Sequence, residues 1–276
     1  LERFLTTLGT IASMGPLLGL FGTTIGMIEM FSAQTPTGLN PVQVWAVATP
    51  RSIQEVVDAL ARSDGPVSVG GGRYSMGGQT ASPMSLHLDM RQMNQVLAFS
   101  PAERTIRVQA GIRWHDIQRF IDPHGLAVKI MQTYGNFTVG GALSVNCHGR
   151  YMGLGPVILS VRSIRLVLAD GSVIDASRTE NTELFFAAIG GYGGVGIIVE
   201  AELDLAENLR VQRLNKKMSA RDYLAHFKDR IRGDKKAVFH NADLYPPEFT
   251  RVRSVTWVET EQPATEARRL HEANAS

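Results

Sequence analysis

The chain has one cysteine, Cys147, so no disulfide can close within it, which suits a reducing compartment. No group of cysteines and histidines has metal-ligand spacing, so no metal is expected. Neither sign of charge dominates: the net charge of +2 gives no field for nucleic acid. Aromatic residues make up only 7%, and no basic stripe alternates with them as single-strand binding needs. Repeats and low-complexity tracts are absent. The length of 276 residues permits one or two domains.

One absence is local. Phe4 to Ile28 contains no charged residue in 25 positions, and Glu29 ends the run. At 1.5 Å per residue a helix of that length spans roughly 37 Å, enough to cross a hydrocarbon core of about 30 Å. Gly15-x-x-x-Gly19 and Gly22-x-x-x-Gly26 set small residues on one helix face, as close packing in lipid requires. Leu5 to Ile28 resembles one transmembrane helix of the ExbB/TolQ/MotA proton-channel family, and the resemblance runs to about Asn40-Pro41. A signal peptide and a buried soluble helix are the rival readings; the apolar core is longer than the 7–15 residues usual in a signal peptide. Membrane association through residues 4–28 is therefore expected, with the rest cytoplasmic. Ser32 to Pro41 reads as a linker. Joining a channel helix to the glycine-rich sequence beyond residue 41 is unusual, so a fusion, a misassembled gene and a misplaced start stay open.

What is present in abundance is glycine, concentrated in two motifs. The first is Gly70-Gly71-Gly72-Arg73-Tyr74-Ser75-Met76-Gly77-Gly78-Gln79-Thr80. The second runs Thr138-Val139-Gly140-Gly141-Ala142-Leu143-Ser144-Val145-Asn146-Cys147-His148-Gly149-Arg150. Each comes after an extended apolar segment. Glycine lets backbone approach a ligand closely, and successive free N–H groups make a concave anion site. Two such loops with hydroxyl and amide side chains suggest a long ligand carrying two phosphates.

Val69 to Thr80 resembles the pyrophosphate loop of the PCMH-type FAD domain of the vanillyl-alcohol-oxidase superfamily. Thr138 to Arg150, the Val161 to Gly171 run and Glu183 to Val199 resemble the second half of that domain. The pattern is nearest to the decaprenylphosphoryl-ribose oxidase and alditol oxidase branch, and it covers about residues 42–206. The resemblance implies an α+β fold. It divides the chain into a transmembrane-type helix (1–31), a linker (32–41), an FAD-binding domain (42–206) and the start of a truncated substrate cap (207–276). In these oxidases the chain later returns to complete the flavin domain, so part of the site is expected to be lacking here.

Pattern alone places the elements. Strands are expected over 42–48, 67–69, 86–89, 105–110 and 126–129, a hairpin over 163–169 and 172–175 about Asp170-Gly171, and strands over 197–205, 237–244 and 252–258. Helices are expected over 52–63, with Ser52 and Glu55 as a capping box, over 114–121 and 182–189, and from Ser219, with Tyr223, Phe227 and Ile231 on one face.

The resemblance also assigns residues. FAD contacts fall on Gly70, Gly71, Gly72, Arg73, Tyr74, Ser75, Met76, Gly77, Gly78 and Gln79 in the first motif. In and around the second they fall on Gly135, Thr138, Val139, Gly140, Gly141, Val145 and His148, and Ile197 meets the adenine end. Many relatives place a histidine where Arg73 stands and link it to the flavin; arginine cannot form that bond. Nor does Tyr134 to Phe137 hold the cysteine of doubly attached relatives, so noncovalent FAD is implied. His148 is the catalytic candidate, a neutral imidazole able to hold or take the proton of an alcohol while hydride passes to flavin N5. Its other reading is a histidine satisfied by backbone. Cys147 reads as a packing residue. The activity implied is oxidation of an alcohol carbon of a sugar or polyol. The rival for the whole chain is a membrane proton-channel fragment fused to an inactive flavin-binding remnant.

Overall fold

The computed structural model describes residues 42–75 and 77–265, so the expected membrane helix, the linker and Met76 lie outside the described residues. The chain enters through β1 (Ala46–Ala48), α1 (Ile53–Ala61), β2 (Val67–Gly70) and β3 (Leu86–Asp89). The three strands form a parallel sheet in the order β1-β3-β2. At the start of α1 the Ser52 hydroxyl accepts the Glu55 N–H at 3.2 Å. The return bond of the expected capping box shifts by one residue: Glu55 Oε2 accepts the N–H of Arg51 at 2.9 Å. Val56 and Ala59 of α1 bury against Leu86 and Leu88 of β3. Strand β3 thus turns its leucines to the helix and its intervening polar residues, His87 and Asp89, to the other face.

The middle of the chain builds a second sheet from β4 (Val96–Ser100), β5 (Thr105–Gln109), β6 (Leu126–Val128), β7 (Val161–Val167), β8 (Val173–Ser177) and β9 (Ile197–Glu207). Its order is β4-β5-β9-β7-β8, with β6 also pairing β9. All pairings are antiparallel. Strand β9 is the long central strand, and seven of its eleven residues are buried, as a strand flanked on both edges requires. The β7–β8 turn is set by Gly171 at φ 81° and by Asp170, whose carboxylate accepts the Ser172 N–H at 2.9 Å. Helices α2 (Trp114–Ile121), α3 (Val139–Ser144) and α4 (Thr182–Ala188) cover this sheet. Trp114, Ile117 and Ile121 are fully buried at helical spacing, and the Trp114 indole N–H donates to Gln132 Oε1 at 3.1 Å.

A third sheet, antiparallel in the order β10-β12-β11, completes the described chain: β10 (Val211–Ser219), β11 (Ala237–Leu244) and β12 (Arg251–Glu259), with α5 (Ala220–Arg230) packed on one face. Ser219 caps α5 by accepting the Asp222 N–H at 3.1 Å. The Tyr223 hydroxyl meets His240 Nε2 at 2.8 Å, and Ile231 is buried. The Arg150–Met152 stretch joins this sheet to the middle of the chain. The His240 N–H donates to Arg150 O, and the Met152 N–H donates to Val238 O, both at 2.9 Å.

Three elements depart from the sequence reading. Val139–Ser144 is a short helix rather than an irregular glycine loop. Strands β4 and β10 were not expected. Strand β10 is exposed over most of its length and carries Arg213, Lys216 and Lys217, so it has no alternating apolar signal to read.

Candidate functional site

The two glycine motifs meet. Gly70 ends β2, and Gly71 comes next at the mouth of the sheet. Thr138 sits at the N-cap position of α3 and is buried. Its hydroxyl oxygen accepts the Gly72 N–H at 3.2 Å, closing a contact across 66 residues of sequence. A Cβ built on Gly71 would collide with that same oxygen. Glycine is required there because the threonine of the second motif passes through the space a side chain would fill. Gly140 packs on the chain leaving β5: its N–H donates to Ala110 O at 2.7 Å, and a Cβ there would lie 2.9 Å from Ala110 Cβ.

These contacts frame a cavity of about 280 Å³. Gly70, Gly71, Ser75 and Gln79 line it from the first motif. Thr138, Gly140, Gly141 and Val145 line it from the second, and Ile197 from the start of β9. Several groups expected from sequence lie elsewhere. Tyr74 turns into an aromatic cluster, edge-on to Tyr134 and Phe137 at ring-centroid distances of 5.3 and 4.9 Å. Burial, with Tyr134 beside it, pushes its hydroxyl up to about 12, so it stays protonated. Gly72 carries this ring at 2.8 Å from where a Cβ would be. Gly77 lies under the Gln79 amide, and Gly78 holds φ 70°. Gly135 accepts the His115 N–H at 2.7 Å, and Val139 is core.

Arg73 adopts φ 66° and forms an ion pair with Asp89 at the end of β3. Arg91 joins the same carboxylate at 2.7 Å. Burial works to raise the Asp89 carboxyl, but hydrogen bonds from Arg91 and the nearby Arg73 charge outweigh it and hold the group below the usual carboxylate value.

His148 is exposed, its Nδ1 lies 3.3 Å from Gly149 O, and it does not line the cavity. It stands two residues before the Arg150–Met152 stretch that pairs with β11. Cys147 beside it is buried, and burial pushes its thiol up to about 12, so the thiolate a nucleophile needs is disfavoured.

Sequence reasoning missed part of the lining. Ala110, Ser144, Tyr192 and Gly193 also face the cavity. The turn at 190–193 reaches α3 through Gly190 N–H to Leu143 O and Tyr192 N–H to Ser144 O, both 3.0 Å. The glycine run Gly190-Gly191-Tyr192-Gly193-Gly194 was the available signal.

The donor set fits a dinucleotide. Glycine backbone, the hydroxyls of Ser75, Thr80, Thr138 and Ser144 and the Gln79 amide line the cavity, and among the described residues no acidic side chain does. Comparison with known proteins agrees. The model of the FAD binding domain family matches residues 41–177, just under half of the chain. The model of the MotA/TolQ/ExbB proton channel family matches residues 1–46. Cytokinin dehydrogenase 7 of Oryza sativa subsp. japonica is 32% identical over 178 residues, covering 60% of this chain and 33% of that protein. L-gulonolactone oxidase of Mus musculus is 28% identical, covering 60% of this chain and 38% of the oxidase. Alditol oxidase of a Streptomyces species is 28% identical, covering 58% and 38%. The chain thus spans about a third of the length of these curated relatives. Residues 41–177 are similar to the FAD binding domain family, and that similarity supports FAD as the cofactor.

Proposed function

We propose that this chain serves an FAD-dependent oxidoreductase that oxidises an alcohol carbon of a sugar or polyol. The observation that carries this reading is the junction of the two glycine motifs at Gly72 and Thr138, with the cavity between them. The likeness to alditol oxidase and L-gulonolactone oxidase supports the substrate class. When bound, FAD supplies the acceptor for a hydride. The residues divide the remaining work. Within the Gly71 to Gly78 loop, the backbone at Gly71 and Ser75 faces the cavity and would hold the pyrophosphate, with Ser75 and Gln79 adding side-chain hydrogen bonds. Ile197 packs the adenine end. His148, at the junction with the third sheet, accepts or holds the alcohol proton through its imidazole.

Attachment of FAD is noncovalent in this reading. Arg73 offers no nucleophilic nitrogen, and its guanidinium is engaged with Asp89. In this reading residues 42–206 form the flavin domain and residues 207–276 the start of a substrate cap. Membrane association through residues 4–28 rests on the proton-channel family match. Purified protein tests the core of this: it should be yellow, and acid precipitation should leave all flavin in the supernatant. A panel of alditols, sugar lactones and cytokinins, read as flavin bleaching under anaerobic conditions, tests the substrate class. Bleaching by cytokinins but not by alditols would replace it.

A further inference from the structure

Beneath the first glycine motif lies a layer of buried polar side chains. In the parallel register Ser68 of β2 stands beside His87 of β3, and Gly70 beside Asp89. Ser68, Ser85 and His87 are all at least nine-tenths buried. The Ser85 hydroxyl donates to Ser82 O at 2.8 Å, which uses its only proton. Ser68 Oγ lies 2.7 Å from Ser85 Oγ and 2.9 Å from His87 Nδ1. Ser68 must therefore donate to Ser85 and accept from His87. The proton count fixes the ring: Nδ1 carries the hydrogen and Nε2 is bare. Nε2 makes no hydrogen bond among the described residues, and it would lie 2.5 Å from a Cβ built on Gly70. Gly70 itself lines the FAD cavity.

We infer that His87 is a positioning residue of the phosphate cradle: it supports Gly70 from below as an Nδ1–H imidazole, and it couples FAD binding to proton uptake at Nε2. This rests on the reading that the first glycine motif holds the pyrophosphate. A proton on Nε2 places a positive charge under the segment that meets two phosphate charges. FAD then favours the protonated ring, and by linkage protons favour FAD.

The groups facing His87 set where this happens. Burial opposes the charged ring most and lowers His87 below the ordinary imidazole value. Asp89, on its own strand, favours the charge; Arg73, from the loop after β2, opposes it. Arg91 is drawn to Asp89 and offsets part of that carboxylate. The neighbouring strands β1 and β2 contribute no charged side chain. Without FAD, a histidine lowered in the folded state contributes stability that is present above 6.5 and is lost as pH falls below it. With FAD the anion offsets that loss.

The tautomer is read first, by ¹⁵N-resolved NMR of the imidazole in the full chain at neutral pH. An Nδ1–H signal for His87 is expected, and an Nε2–H ring overturns the proposal. FAD affinity is then measured by fluorescence quenching. Wild type should bind FAD at least about threefold more tightly near pH 5.5 than near pH 7.5, because proton uptake accompanies binding. His87→Asn keeps a donor toward Ser68 but cannot take a proton, and its affinity should be flat over that range. Should it track wild type, the coupling is refuted. Wild type that binds FAD without any pH dependence also refutes it, whereas wild type that binds no FAD refutes the reading of the cradle instead. Ser68→Ala covers the case in which His87→Asn does not fold. It removes the acceptor and should release the Nδ1–H tautomer; an unchanged tautomer in that variant would overturn the lock.

Discussion

In the first glycine motif, side chains fill the space beside the glycines: His87 under Gly70 and Thr138 against Gly71 come from other elements, and Tyr74 against Gly72 from the motif itself. In the second, the glycines let backbone hydrogen bonds form: Gly140 N–H to Ala110 O within the motif, and Gly190 N–H from the later 190–193 turn to Leu143 O of α3. Both motifs look alike as sequence. The first uses its missing side chains to form a loop whose shape is set from below. The second uses them to dock a helix at the edge of the sheet that carries β5 and β9. Ligand affinity should therefore be sensitive at the first motif and fold stability at the second.

The largest effect expected lies near the end of the second motif. His148→Ala should slow reduction of bound flavin by its alcohol about 10²–10⁴-fold, the usual contribution of a positioned acid–base group. Its FAD affinity should change little, since His148 lies apart from the cavity lining. A variant that loses FAD but reduces normally when saturated would make His148 a cofactor ligand and carry the second motif's role back to binding.

Next comes the contrast between Gly71→Val and Gly140→Val. Overpacking costs typically about 1–3 kcal/mol. At Gly71 the branch displaces the Thr138 hydroxyl that holds Gly72, so the loss should fall on FAD, with affinity weaker by about tenfold to 100-fold. At Gly140 it should fall on the melting temperature of the apoprotein, because the branch meets Ala110 backbone as well as side chain. Equal melting temperatures for the two variants would erase the comparison.

Smaller effects sharpen it. Thr138→Ala removes the acceptor of the Gly72 N–H and should weaken FAD only a few-fold, in line with about 0.5–1.5 kcal/mol for one hydrogen bond. Asp89→Asn probes the layer below. The depressed Asp89 contributes stability above its ordinary value of 3.8, and that stability is lost as pH falls through the folded value. Wild type should therefore lose thermal stability in the acid range below about pH 4, and the variant should lose less over the same range. Parallel melting curves across that range would show that Arg73 and Arg91 do not draw stability from this carboxylate.

Helix α2 was readable because Trp114, Ile117 and Ile121 repeat at helical spacing, and the structure starts and ends it where the pattern does. The β7–β8 hairpin was readable from Asp170-Gly171. Helix α3 was not, because paired glycines oppose helix propensity and only packing on Ala110 overrides it. Strand β4 was hidden by Leu97 and Ala98, exposed neighbours that break the alternation. At the site, the glycines and their hydroxyl neighbours are contiguous in sequence, and they stand out. Ala110 and Tyr192 join the cavity only through the pairing of β5 with β9 and the docking of the 190–193 turn. Ser68 and His87 look like ordinary strand residues until the register sets them side by side. Such neighbours are products of topology, which local pattern does not encode.

In this reading the two motifs form one FAD cradle closed where Thr138 meets Gly71 and Gly72. Its most direct test is titration of FAD into apoprotein, tracked by quenching of flavin fluorescence, for wild type and Gly71→Val side by side. Wild type should quench flavin fluorescence stoichiometrically, and the variant's binding curve should be displaced by about tenfold or more. Coincident curves, or a wild-type protein that leaves flavin fluorescence unchanged, would contradict it.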